Sequence, residues 1–111
     1  QDEFVNLSYA TLNITTGNNP LLILFSGVFS ASVAEEAVQI MLYIDGDPII
    51  TTTRKGTSVS GDSTFTLSFN YITVLSSNEH TIQVRWRVAP SGIAPTANAY
   101  NRVLDIIELK K

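Results

Sequence analysis

From residue 80 onward apolar and polar side chains alternate strictly. Ile82, Val84, Trp86 and Val88 share one parity, and Thr81, Gln83, Arg85 and Arg87 take the other. This is the period-2 pattern of a strand with one buried and one wet face. Residues 63–71 repeat it, with Phe65, Leu67, Phe69 and Tyr71 inward and Thr64, Thr66, Ser68 and Asn70 outward. In a third run, over 38–44, Val38, Ile40, Leu42 and Ile44 oppose Gln39, Met41 and Tyr43. A helix would scatter these apolar residues around its axis.

Turn chemistry divides the rest. Asp45-Gly46-Asp47-Pro48 is a tight-turn signal between two apolar runs, so 49–54 is expected to return as a hairpin partner. Gly17-Asn18-Asn19-Pro20 reads as a turn, preceded by a weak strand or strand pair over 4–7 and 10–15 with Leu12 and Ile14 on one face. Residues 21–32 form a long strand whose first half is apolar on both faces, which implies burial against two neighbours or an oligomer contact. Gly27 within it signals a bulge or a close backbone approach.

Residues 32–37, with Glu35-Glu36, and 55–62 read as connections, 72–75 as an extension or a corner, and 76–79 as a turn. Pro90, Gly92 and Pro95 mark 89–101 as a long loop. Residues 102–109 close the chain as a strand, with Leu104 and Ile106 on one parity and Val103, Ile107 and Leu109 on the other. Seven or eight short strands without a helix predict an antiparallel β-sandwich, and 111 residues make a single domain, 1–111.

Composition narrows the function classes. Only 15% of residues are charged, the net charge is −3, and the seven Lys and Arg are dispersed, so nucleic acid is not an expected partner. The chain has no cysteine, which excludes disulfides and thiolate metal sites. No apolar run approaches the ~20 residues of a membrane-spanning helix, and membrane insertion is not expected. Gln1 in place of Met suggests a piece of a longer protein.

Candidate chemistry is sparse. His80 is the single histidine, so any triad would be built around it. Beside Glu79 at a strand start it reads as an ordinary surface residue. Asp45 and Asp47 have the spacing of a calcium loop, but Pro48, Ile49 and Ile50 follow where further oxygen ligands are needed, so a turn is the reading and no metal is expected. Glu35-Glu36 reads as a solvated pair. The glycosylation patterns at Asn6 and Asn13 match no better than chance in so Asn-, Ser- and Thr-rich a chain. No catalytic set and no cofactor site are expected. Arg85 and Arg87 make a basic stripe, read first as pairing with acids such as Asp105 or Glu108, then as an inter-subunit contact, then as a sugar or anion site.

His80, Thr81, Ile82, Val84, Trp86 and Val88, followed by Arg102, Leu104, Ile106, Ile107, Glu108 and Leu109, resemble the C-terminal half of small jelly-roll modules of phage virion proteins. The hairpin at 42–46 fits the one upstream in such modules, and the chain departs from them at Asn78-Glu79, where a glycine is frequent. The resemblance covers roughly the last two thirds of the chain, judged on the strand pattern. It implies an architecture similar to the C1q and tumour-necrosis-factor jelly roll, a homotrimer, no catalytic residues, and a place on the virion surface among other virion proteins or against a cell-surface receptor or glycan.

Apolar residues on both faces of 21–25 and 102–109 support self-association independently, since a two-layer sandwich covers one face of each strand. The expected interface comprises Tyr43, Arg85, Arg87, Val103, Ile107 and Leu109, with Tyr9 and Tyr100 as further candidates. Ser91, Thr96, Asn98 and Tyr100 are expected in a receptor-facing loop. The expected function is a non-enzymatic fibre, spike or decoration module. The alternative is a monomeric carbohydrate-binding module using Tyr43 or Tyr100.

Overall fold

In a computed structural model the described residues fold as seven antiparallel strands in two sheets. The structure describes residues 3–32, 36–60, 63–89 and 97–109. The strands are β1 (Val5–Thr15), β2 (Pro20–Ala31), β3 (Ala37–Ile44), β4 (Asp47–Thr57), β5 (Thr64–Val74), β6 (Glu79–Ala89) and β7 (Ala97–Glu108). One sheet has the order β1-β6-β3-β4 and the other β5-β2-β7. Only β3 and β4 are joined as a hairpin within a sheet; every other connection crosses to the opposite layer. This is the expected all-β sandwich. The jelly-roll connection is carried by the resemblance alone, since seven strands are one short of the eight of that fold.

The three alternating runs become β6, β5 and β3. Ile82, Val84, Val88, Val38, Ile40 and Leu42 are buried, and β6 lies between β1 and β3. Phe29 on β2 bridges the two layers, with ring centroids 6.4 Å from Phe65 on β5 and 6.0 Å from half-buried Trp86 on β6. Asp45 and Gly46 form the two-residue hairpin turn with φ of 53° and 84°. These are the left-handed values that a primed turn needs and that an Asp-Gly pair supplies.

Several expectations are corrected. The supposed loop 89–101 is strand from Ala97 onward, because Ala97 and Ala99 pair with Ala31 and Phe29; residues 90–96 lie outside the described ones. β4 continues to Thr57, into the expected connection, and β5 continues to Val74. Gly27 serves a close approach: a Cβ there would lie 2.9–3.1 Å from the rings of Phe25 and Phe29. The bulge itself sits opposite, in β7 between Tyr100 and Val103. β1 is one strand interrupted by a bulge at 7–10, and β4 bulges at 50–53. There the Thr52 hydroxyl accepts from Leu42 N at 2.9 Å in place of a ladder partner. Glu36, expected in solvent, is half-buried with one carboxylate oxygen unbonded, and Glu35 lies outside the described residues.

Candidate functional site

The sandwich is 47 Å long and 21 Å wide. Three places carry chemistry: one end of the long axis, and the outer face of each sheet.

At the end formed by the β1–β2, β3–β4 and β5–β6 turns, His80 is buried and bonded on both ring nitrogens. Its Nδ1 lies 2.6 Å from Asp45 Oδ2, and its Nε2 lies 2.9 Å from the carbonyl oxygen of Ser76 and 3.3 Å from its hydroxyl. Asp45 Oδ1 also accepts from Thr81 N at 2.8 Å. Ser76, His80 and Asp45 therefore stand in the sequence of a hydrolytic triad, with Ser76 in the β5–β6 turn, His80 at the start of β6 and Asp45 in the β3–β4 turn. The geometry uses them otherwise. A backbone carbonyl only accepts, so Nε2 carries a proton and has no lone pair with which to deprotonate the Ser76 hydroxyl. Thr16 Oγ1 donates to the carbonyls of Leu75 and Ser76 from the neighbouring turn, and the cluster fastens three turns together. His80 is thus no ordinary surface histidine.

The hydrogen bond from His80 lowers the Asp45 carboxyl below its ordinary range, and Asp45 with the Ser76 carbonyl raises the imidazole above its own. A raised histidine contributes stability fully below its ordinary 6.5 and loses it as pH rises through the raised value. A lowered aspartate contributes above its ordinary 3.8 and loses it as pH falls through the lowered value. Thermal midpoints should therefore peak between those two limits in mildly acidic buffer. In His80→Gln the decline on the alkaline side should vanish, which a series of melts across pH would show. An unchanged profile would remove the ion pair from the account.

The outer face of the four-stranded sheet is covered by the chain's own aromatic and cationic side chains. The Arg85 guanidinium lies 4.1 Å from the centre of the Tyr43 ring, and Arg87 lies 4.6 Å from that of Phe4. Phe4 in turn packs on Tyr43 at 6.3 Å. Gln83 and Gln39 accept from Arg85 Nε and Arg87 Nε. Pairing with Asp105 or Glu108 is overturned, because both acids stand on β7 in the other sheet. Glu108 instead accepts from Gly17 N and Asn19 Nδ2, closing the β1–β2 turn.

The outer face of the three-stranded sheet is the candidate interaction site. Ile72 and Val74 on β5, Val103 and Ile107 on β7, and Leu109 just beyond it are 42–62% exposed. The register brings Ile72, Leu22 and Ile107 side by side across three strands, with Val74 and Pro20 in the next row. Toward the middle, Leu24, Ser26, Ser68, Asn70, Asp105 and Arg54 line a shallow concavity of about 350 Å³.

The six expected interface residues are therefore divided: Tyr43, Arg85 and Arg87 on one outer face, Val103, Ile107 and Leu109 on the other. Of the expected receptor-facing loop, Ser91 and Thr96 lie outside the described residues. Asn98 and Tyr100 are strand residues paired with Ser30 and Val28, and the Tyr100 hydroxyl lies 3.4 Å from Ser30 Oγ.

Ile72 and Val74 were legible, since continuing the parity of Thr64 and Asn70 sends them outward. Tyr9 had no such signal. The β1 bulge, anchored by buried Leu7 and Ala10, holds Tyr9 at φ 61° and leaves it 88% exposed, with the Arg102 guanidinium 5.5 Å from its ring centre.

Among the described residues no group of three or more His, Cys, Asp or Glu is placed to hold a metal ion, and no helix is long and apolar enough to cross a membrane. Comparison with models of known protein families and with curated proteins finds no match to this chain.

Proposed function

We propose that the chain is a non-enzymatic structural and adhesion module of a phage particle, a jelly-roll-type head that assembles as a homotrimer on the virion surface. The observation that carries the self-association is the apolar row Ile72–Leu22–Ile107 with Val103, Val74 and Leu109 around it, all on one outer face. A patch several residues wide is an interaction surface by its own energetics, since covering it contributes roughly 25 cal/mol per Å². The carboxylate of this face, Asp105, stands between Val103 and Ile107 beside the concavity, which Arg54 also lines. The phage assignment rests on the residues of β6 and β7 that carry the resemblance. The facing surface, with Tyr43 already stacked between Phe4 and Arg85, is self-covered and free to point outward.

The expected measurement is a mass of three copies by light scattering at about 10 μM, within the range where interfaces of ordinary size persist. Ile107→Lys, which places an ammonium in the centre of the row, should yield single copies with an unchanged circular dichroism spectrum. A wild-type chain found as single copies would overturn the assembly.

A second reading is supported by the concavity, whose hydroxyl, amide, carboxylate and guanidinium groups over Leu24 suit a polyhydroxylated ligand. This is the carbohydrate-binding alternative, relocated from Tyr43 to Ser68, Asn70 and Asp105. Glycan binding by single copies, lost in Asp105→Ala, would favour it over the first.

A further inference from the structure

A two-sheet sandwich has four edge strands, here β1, β4, β5 and β7. Each offers a row of backbone donors and acceptors that templates pairing with another strand unless something blocks it. Three edges are blocked. β1 bulges at 7–10, with Tyr9 forced outward. β4 carries Asp47, Pro48, Arg54 and Lys55 and bulges at 50–53. β7 bulges beside Tyr100 and carries Arg102, Asp105 and Glu108.

β5 has none of these devices. Its eleven residues, Thr64–Val74, contain no charge, no proline and no glycine. They pair with β2 without a register shift from one end to the other. Among the described residues, β5 makes no backbone hydrogen bond beyond its ladder with β2. β4 packs against its inner side, where Gly56 faces Phe65 and Leu67, and its Arg54 lines the concavity beside Ser68 and Asn70.

We infer that β5 is a pairing edge for β5 of a second copy, antiparallel about a two-fold axis, joining two three-stranded sheets into one of six. Parity restricts the register: outward side chains stay outward only if the numbers of paired residues sum to an even value. Full overlap of Thr64–Val74 places Phe69 on the axis. On the outer face Thr64 then meets Val74, Thr66 meets Ile72, and Ser68 meets Asn70. On the inner face Phe65 meets Thr73 and Leu67 meets Tyr71. These are β-branched, aromatic and hydroxyl pairs of the kind that stabilise neighbouring strands, and no charge opposes a like charge. The occupant is a copy of this chain because one sequence satisfies both sides of that register.

Size sets the strength. At about 3.3 Å per residue the strand is ~36 Å long, and a strip one sheet thickness, ~10 Å, deep covers ~360 Å² per copy. That is well under the ~800 Å² per partner of a stable interface, so the pairing is weak and concentration-dependent. It uses the edge and leaves the apolar outer face free, so it holds whether or not copies assemble through that face.

The test is run in Ile107→Lys, where the face-to-face contact is removed. Sedimentation equilibrium should show its mass doubling between about 10 μM and about 1 mM, the range of a weak interface. Ile107→Lys/Ser68→Lys, which guards the edge with a charge, should stay at the mass of one copy throughout. In the doubled species, alternate β5 amides, those turned away from β2, should exchange with deuterium at least tenfold more slowly than in dilute protein. A constant mass in Ile107→Lys, equal doubling with Ser68→Lys present, or β5 amides already protected at the lowest concentration would each overturn the pairing. Failure of the homotrimer would show instead as a single-copy wild-type mass in dilute solution.

Discussion

Phe29→Ala is expected to cost about 3–5 kcal/mol of folding stability, as for other fully buried aromatic side chains. Its ring leaves β2 at the centre of the sandwich and meets Phe65 in its own sheet and Trp86 in the other. It is completely buried. Truncation opens a cavity whose walls belong to three strands, and strands held by their own ladders cannot collapse into it. Against a total of roughly 5–15 kcal/mol for a domain, the variant loses a large fraction of its stability. A fall of the thermal midpoint on the order of 15 °C or more is expected for a chain of this size. The sole tryptophan, Trp86, reports the change directly by fluorescence in a denaturant titration. A loss below about 1 kcal/mol would mean that the layers are not keyed together at this ring.

Gly56→Ala should have the next largest effect, about 1–3 kcal/mol from overpacking. The new Cβ would lie 2.6 and 2.7 Å from two carbons of the Phe65 ring and 3.0 Å from a Leu67 methyl. The ring cannot turn aside freely, because Phe29 is stacked against it. A glycine on an edge strand therefore serves contact between the layers, and the expected outcome is a lower midpoint with an unchanged far-ultraviolet spectrum. A midpoint within experimental scatter of wild type would show that β4 stands farther from β5 than this geometry has it.

The parity of side chains made β3, β5 and β6 legible, because each has one dry and one wet face and a helix accommodates neither pattern. The Asp-Gly turn was legible for the same local reason. What escaped is non-local. Ala97, Ala99 and Tyr100 follow a segment rich in Pro and Gly, and only the ladder offered by β2 draws them into strand. The sheet to which β7 belongs is equally invisible in the sequence, so acids on it were matched with arginines that face the opposite side. The Asp45–His80–Ser76 cluster depends on the β3–β4 turn meeting the β5–β6 turn, and the distance in sequence between Asp45 and His80 hides it. The apolar residues on both faces of β2 and β7 were visible from the start. Which of them reach solvent required the layers to be in place.

An odd number of strands, all running lengthwise, sends the chain in at one extremity and out at the other. Val5 sits beside Trp86, while Glu108 sits beside Leu21 at the opposite end. A pull applied between the first and last strands would act along β1 and β7, across hydrogen bonds that stand perpendicular to them. Those bonds would have to slide past one another in concert, whereas a hairpin pulled from one end opens rung by rung. The resistance of the protein to tension is therefore set by its rate of unfolding under load, and the two terminal ladders would be the first to bear it.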